Sequence, residues 1–338
     1  MQFIKKINNR YRKKAPLICS GIILIESVFI FRRWLLIAPD NLSSMKQVGL
    51  IGIGLVGTSL AYNLLNAGYK VIGYDIDDKQ MEKFISMGGT AASSPQDVAA
   101  QTETILFSLL RTEIVQEVVE GEDGITKADP LPRVIIDTTT GEPILSTKIG
   151  RNLEEMGIAY LDATISGSSV QIKNREGVFM VGGKESLYKE SKEIFDTLAA
   201  DHMYVGSMGN GAKSKLAVNL LVGMHRLVLA EGLVFAEMVG LDLEKTLEIF
   251  RRTQAYSRIM DPKGEKMVKG DFATQSRISQ HRKDVSLMIK MANHYEKNLL
   301  LSPIHLDVLD SMIARGEGDI DTSAVIKEMR RIASKNED

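Results

Sequence analysis

From Val48 onward the chain alternates short apolar runs with stretches whose apolar residues recur every three or four positions. "QVGLIGI" and "KVIGYDI" have the continuous apolar character of buried strands, and "TSLAYNLLNAG" between them has helical spacing. The runs "ETILFSLL", "RVIIDTT", "AYLDATIS" and "GVFMVGG" follow at intervals that leave room for helices. Such alternation predicts a parallel sheet with helices on both faces. After Val205 the texture changes, because "GNGAKSKLAVNLLVGMHRLVLAEGLVFAEMVG" keeps helical periodicity for about thirty residues without a proline. Further helices are signalled by Asp242 before "LEKTLEIFRR", by "ISQHRKDVSLMIKMANHY", by Pro303 ahead of "IHLDVLDSMIARG" and by "DTSAVIKEMRRIASK".

Three glycines punctuate the first strand-to-helix turn. Gly52, Gly54 and Gly57 match G-x-G-x-x-G after a strand and at the opening of a helix, and Asp75 ends the next strand. Gly52 permits a tight turn, Gly54 lets backbone approach a pyrophosphate, and Gly57 allows close packing of helix on sheet. A dinucleotide is therefore expected on the loop Gly52, Ile53, Gly54, Leu55, Val56 and Gly57, its phosphates facing the open amides of the helix N-terminus. Asp75 would accept hydrogen bonds from the ribose hydroxyls and repel a 2′-phosphate, so NAD is expected ahead of NADP. The fold class that follows is α/β: an N-terminal Rossmann-type doubly wound parallel sheet, then an all-helical C-terminal domain joined to it by a long helix. Residues 45–208 are expected to bind the dinucleotide, and 209–338 to form the helical substrate and oligomerisation domain. A cleft should lie where sheet and long helix meet.

Hydride transfer needs a partner that moves a proton at the substrate oxygen. The five histidines, at 202, 225, 281, 294 and 305, stand in unrelated contexts and are expected to be surface or packing residues. Lysine is the alternative, since a partly buried amine with a lowered pKa exchanges protons near neutrality. Lys215 and Asn219 stand one turn apart on an otherwise apolar helix face, a polar notch that needs a partner if buried.

Four separated motifs carry a resemblance to the β-hydroxyacid dehydrogenase family, spread over nearly all of residues 45–300. The glycine loop is the first, and "DTTTGEP" (137–143) is similar to the family's Asp-x-Ser-Thr-x-x-Pro segment, which implies that Thr140 lies against the cofactor. The third, "DATISGSSVQIKNREGVFMVGG" (162–183), resembles the substrate-binding run and implies that Ser166, Gly167 and Ser168 hold the substrate carboxylate. The fourth, "GNGAKSKLAVN" (209–219), resembles Gly-x-Gly-x-x-x-Lys-x-x-Asn-Asn; the count from Gly209 selects Lys215 over Lys213. The resemblance assigns proton transfer to Lys215 and substrate orientation to Asn219. "HRKDVSLMIK" resembles the Lys-Asp-Leu segment, implying that Lys283 reaches the nicotinamide end while Asp284 pairs or caps, and "LFSLLRTE" implies a backbone contact from Leu110 to the cofactor. The activity implied is reversible oxidation of a small 3-hydroxy acid with NAD.

Several positions depart from that pattern. Ser168 replaces a glycine, "IKNREG" replaces a small-residue stretch, Val218 replaces the first paired asparagine, Arg111 a proline and Ser276 a phenylalanine. Asn174 and Arg175 read as a solvated turn. The rivals are an imine reductase, which Lys215 argues against, and a non-catalytic NAD-binding or partner-binding module of the same fold. A 6-phosphogluconate-type enzyme would need a larger helical domain.

Composition narrows the partners. Of 338 residues, 25% are charged and the formal net charge is -1, which excludes a general affinity for polyanions, so no nucleic acid is expected. Cys19 is the single cysteine and shares no metal-ligand spacing with the histidines, so a reducing, cytoplasmic setting and no metal are expected. Residues 1–44 differ, with eight basic residues against two acidic ones around the apolar run "APLICSGIILIESVFIF". They read as an atypical extension, either a mis-assigned start ahead of "MKQVGLIGIG" or a membrane anchor, and only in the second case is a membrane a partner. The apolar stripe of the long helix exceeds what one small domain covers, so a homodimer or homotetramer is expected.

Overall fold

A computed structural model describes residues 46–334; the reading of the 1–44 extension falls outside them. Eight strands form one sheet in the order β3-β2-β1-β4-β5-β6-β7-β8. They are β1 (Gln47–Ile51), β2 (Lys70–Tyr74), β3 (Thr90–Ala91), β4 (Thr104–Phe107), β5 (Val134–Asp137), β6 (Ala159–Ser166), β7 (Val178–Gly182) and β8 (Asp201–Gly206). Valine and isoleucine runs make the central strands, which are buried along nearly their whole length because helices cover both faces. Alternation along β1 sends Leu50 into one core layer with Leu106 and Ile136, and Ile51 into the other with Ile105 and Ile135. The helix α1 (Leu55–Asn66) follows β1. The chain then runs through α2 (Asp78–Ser86), α3 (Pro95–Gln101), α4 (Thr112–Glu120), α5 (Pro143–Glu155), α6 (Ser169–Lys173), α7 (Glu185–Glu190) and α8 (Lys192–Leu198).

β1 has β2 on one side and β4 on the other, so the chain leaves β1 in opposite directions around one crevice at the carboxyl ends of these strands. One pairing differs from the all-parallel expectation: β7 runs antiparallel to β6. Eleven residues separate Ser166 from Val178, and a parallel return needs a crossover of about a dozen or more. Strand β8, pairing parallel with β7, also lacks a clear sequence signal because it is only half-buried.

The long helix α9 (Asn210–Met238) begins four residues after β8. By length and composition alone it could cross a membrane, yet Leu216, Leu229, Ala230 and Leu233 lie in a buried helical core. Around it pack α10 (Leu243–Arg252), α11 (Met260–Lys269), α12 (Ile278–His294), α13 (Leu301–Ala314) and α14 (Val325–Ser334). Helix α11 escapes the sequence pattern because Pro262 and Gly264 interrupt its helical composition; Pro262 sits in the first turn, where a missing amide costs nothing. Gly264 is forced by packing, since a Cβ there would meet Leu247 Cδ1 at 2.7 Å.

Candidate active site

The glycine loop shows three separate reasons for three glycines. Gly52 has φ +91°, and a Cβ there would stand 2.3 Å from the Ser108 carbonyl oxygen. At Gly57 a Cβ would fall 2.0 Å from the Gly52 carbonyl oxygen, so the helix could not sit this close to the strand. Around Gly54 nothing lies within 4 Å of such a carbon. Helix α1 begins there with no side-chain cap and no acidic residue in its first turn, leaving its positive end and unpaired amides open to an anion. Asp75 is tied to the same loop: its Oδ2 accepts from the Ile53 amide at 2.5 Å and its Oδ1 from the Asp77 amide at 2.9 Å. A carboxylate offers about four acceptor positions, so two remain for hydroxyl donors. The open cradle at Gly54, the bare helix end and the acid together fit a dinucleotide.

The second half of the site is built where α9 meets β6. Gly209 caps α9 in a left-handed conformation with φ +88° and has no side chain to offer. Asp162, buried in β6, supplies the cap, its Oδ1 accepting from the Gly209 amide at 3.0 Å and its Oδ2 from the Ala212 amide at 2.9 Å. Burial raises this carboxyl to about 6, and the two amide donors oppose the rise. Two residues along β6, Thr164 donates its hydroxyl to the Gly211 carbonyl at 2.8 Å. Two further on comes Ser166, on the same strand face, while one turn beyond Gly211 comes Lys215. The strand and the helix are thus pinned in a register that ends at the serine and the lysine.

Lys215 is half-buried and makes no hydrogen bond or ion pair among the described residues. Desolvation brings its ammonium down to about 8, with Asp284 pulling it up and Lys283 pushing it further down. Lys213 is exposed. Asn219 Nδ2 donates to Asp284 Oδ2 at 2.8 Å, and Asp284 Oδ1, buried without a hydrogen bond, lies 3.5 Å from Lys283 Nζ. Burial also raises the Asp284 carboxyl. Lys283 Nζ in turn donates to the carbonyls of Leu110 at 2.9 Å and Thr140 at 2.6 Å, at the ends of β4 and β5. Residues from four segments of the chain are thereby linked into one line running from the strand ends to Asn219, one turn from Lys215.

Not every expected residue is free. Ser168 is engaged locally in a capping box with Gln171, which opens α6. That helix is anchored to α1 through Ser59, whose hydroxyl donates to the Ser169 carbonyl at 2.9 Å, and through Asn63 to the Ile172 carbonyl. The Ser166–Gly167 turn therefore stands beside the helix of the glycine loop. Arg175 turns away to the Asp196 carbonyl. Asp284, expected to pair or cap, holds Asn219, and Asp162 has only a faint sequence signal, a lone acid inside the apolar run "AYLDATIS".

Comparison with known proteins agrees with this arrangement. Residues 47–206 match the NAD binding domain of 6-phosphogluconate dehydrogenase, and residues 209–329 match the NAD-binding domain of NADP-dependent 3-hydroxyisobutyrate dehydrogenase. A 2-(hydroxymethyl)glutarate dehydrogenase of Eubacterium barkeri is 30% identical over 83% of this chain and 94% of its own length. The chain belongs to the β-hydroxyacid dehydrogenase family. A 2-hydroxy-3-oxopropionate reductase of Escherichia coli, another relative, is 29% identical over 85% of this chain and 98% of its own. A solved Mycobacterium tuberculosis 3-hydroxyisobutyrate dehydrogenase, in a structure with L-serine, shares the fold with a TM-score of 0.76 at 22% identity, over 85% of this chain and 99% of that one. A Myxococcus stipitatus imine reductase shares it less closely, with a TM-score of 0.57 at 15% identity over 84% and 99%. β-Hydroxyacid dehydrogenases bind NAD(P), and these relatives are oxidoreductases of hydroxy acids and semialdehydes.

Proposed function

We propose that this β-hydroxyacid dehydrogenase interconverts a small 3-hydroxy acid and its semialdehyde, with NAD as the preferred cofactor and Lys215 as the proton-transfer residue. The observation that carries the reading is the state of Lys215: an amine without a bonded partner, held at about 8 by burial, one turn from an asparagine fixed by Asp284. In oxidation the neutral amine accepts the substrate hydroxyl proton, and in reduction the ammonium returns it to the carbonyl oxygen. The nicotinamide, when bound, supplies the hydride acceptor or donor. Ser166 and Gly167 hold the substrate carboxylate and Asn219 orients the substrate, so that the proton path is aligned before reaction. The glycine loop and Asp75 hold the adenosine end, and Leu110, Thr140 and Lys283 stand at the other. A carboxylate at position 75 with two acceptor positions left favours ribose hydroxyls over a 2′-phosphate.

Lys215→Ala is expected to lower kcat about 1000-fold with NAD affinity retained, measured by initial rates and by titration of the cofactor. With the wild type, oxidation should rise with pH to a plateau above about 8, and reduction should fall over the same range. Near-wild-type turnover in the alanine variant would remove Lys215 from the proton-transfer role, and a wild type without turnover would leave a non-catalytic binder of the same fold as the better account. The same rates run with NADP test the cofactor preference.

We also propose that the protein works as a homodimer or homotetramer. Leu221, Val228 and Phe235 recur at seven-residue intervals on α9 and are 58%, 66% and 62% exposed. One helix face carrying three such side chains is apolar surface that a second copy would cover.

A further inference from the structure

Beyond Lys215 and Asn219, the same face of α9 continues through Gly223 to Arg226, at spacings of four, four and three residues. Arg226 is only 5% exposed, yet its Nε and Nη2 have no hydrogen-bond partner among the described residues. Only Nη1 is engaged, donating to Thr322 Oγ1 at 2.8 Å, and Thr322 is in hydrogen-bond contact with the hydroxyl of Ser276 at 2.8 Å. Ser276 is exposed, so a thin layer of side chains separates the guanidinium from solvent.

The two idle atoms are not an arbitrary pair. In Arg282 and Arg330 the same Nε and Nη2 grip both oxygens of one carboxylate, Asp310 at 2.6 and 3.2 Å and Glu237 at 2.7 and 3.1 Å. Arg226 therefore presents, inside the protein, the edge that elsewhere in this chain holds a carboxylate side-on. Nearby acids do not fill it. Asp321 is occupied by Lys263 and by the amides of Gln275, Ser276 and Ser323, and Asp284 is bonded to Asn219. His281 adds a second idle polar atom, its buried Nε2, and burial keeps this ring neutral. Asp321 and Asp284 act on the guanidinium only through space, and leaving its two donors unbonded is costly, which makes an acidic ligand the natural complement. Arg226 stands seven residues from Asn219 on that face, about 10 Å along the axis, with the rings of His281 and His305 packed against Gly223 between them.

We infer that the open edge of Arg226 receives a second carboxylate of the substrate, so that the preferred substrate is a hydroxy dicarboxylate; this rests on the dehydrogenase reading above. The test compares 3-hydroxyisobutyrate with 2-(hydroxymethyl)succinate, which adds one carboxylate to the methyl carbon, by initial rates and by calorimetric binding to the NAD-loaded full chain. The wild type is expected to favour the diacid at least tenfold in kcat/KM, and Arg226→Gln to reduce that ratio at least tenfold, with Arg226→Lys in between because it keeps charge without the fork. A wild-type ratio near one, or a ratio unmoved by Arg226→Gln, overturns the inference. Should neither acid turn over, neither is the substrate of the proposed dehydrogenase, and the calorimetric ratio still decides the subsite. Should Arg226→Gln not fold, the wild-type ratio decides alone. Stabilisation of the wild type by chloride, with no preference for the diacid, would assign the fork to a resident inorganic anion and overturn it.

Discussion

Gly54 and Gly57 lack side chains for opposite reasons, and the difference can be measured. A methyl at 57 would fall 2.0 Å from backbone, whereas one at 54 would enter open space. Gly57→Ala should therefore lower stability by about 1–3 kcal/mol as loop and helix are forced apart, in addition to weakening NAD binding. Gly54→Ala should leave thermal unfolding nearly unchanged, because φ is already -66° there, and yet raise the NAD dissociation constant at least tenfold. Wild-type affinity in the Gly54 variant would remove the loop as a pyrophosphate cradle. Lys215 makes a related point. Its choice over Lys213 follows from register, and the structure agrees in leaving Lys213 exposed and Lys215 half-buried. Its proton affinity, however, is set first by burial and then by Asp284 and Lys283, nearly seventy residues away, and no local pattern encodes that.

At the scale of elements, the joint between β6 and α9 carries the most weight. A helix capped by glycine has no side chain of its own to satisfy its first amides, and Asp162 takes that role from the strand. Asp162→Ala should strand the buried amides of Gly209 and Ala212 and cost about 1–3 kcal/mol for each unsatisfied group, seen as a lower Tm. It should also lower kcat, since Lys215 lies one turn past Ala212, while NAD affinity, set at the β1–α1 turn, stays as it was. Equal losses in kcat and in NAD affinity would show a general collapse and sink the claim of a local pin. The strands of the dinucleotide half were legible because both faces of the central sheet are covered, which makes each strand a continuous apolar run. The direction of β7 was not legible from hydrophobicity, which is the same for either sense of pairing; the length of the connection decided it.

For the whole molecule, the proposed assembly would be coupled to the fold through α9. One side of that helix lies against the helices of the second half and against β6 and β7, and another side leaves Leu221, Val228 and Phe235 outward. Val228→Glu combined with Phe235→Glu is expected to convert a dimer or tetramer into monomers in sedimentation velocity. A wild-type protein that already sediments as a monomer would refute the interface. The two halves are fastened to each other by Lys283 on the carbonyls of Leu110 and Thr140 and by Lys290 on Glu142 at 2.7 Å, so the line from the strand ends to Asn219 is held by contacts between segments more than 140 residues apart.

What the chain determined by itself was whatever depends on neighbours in sequence: the periods of strand and helix, the left-handed and close-packed glycines of the first turn, and the shared face of Lys215 and Asn219. Those follow from backbone sterics and helix geometry, which act over a few residues. The tertiary structure alone decided the lowered proton affinity of Lys215, the burial of Asp284 beside Asn219 and the idle edge of Arg226. Each is a matter of desolvation and of which donors and acceptors find partners, and those partners arrive from distant segments only once the chain has closed on itself.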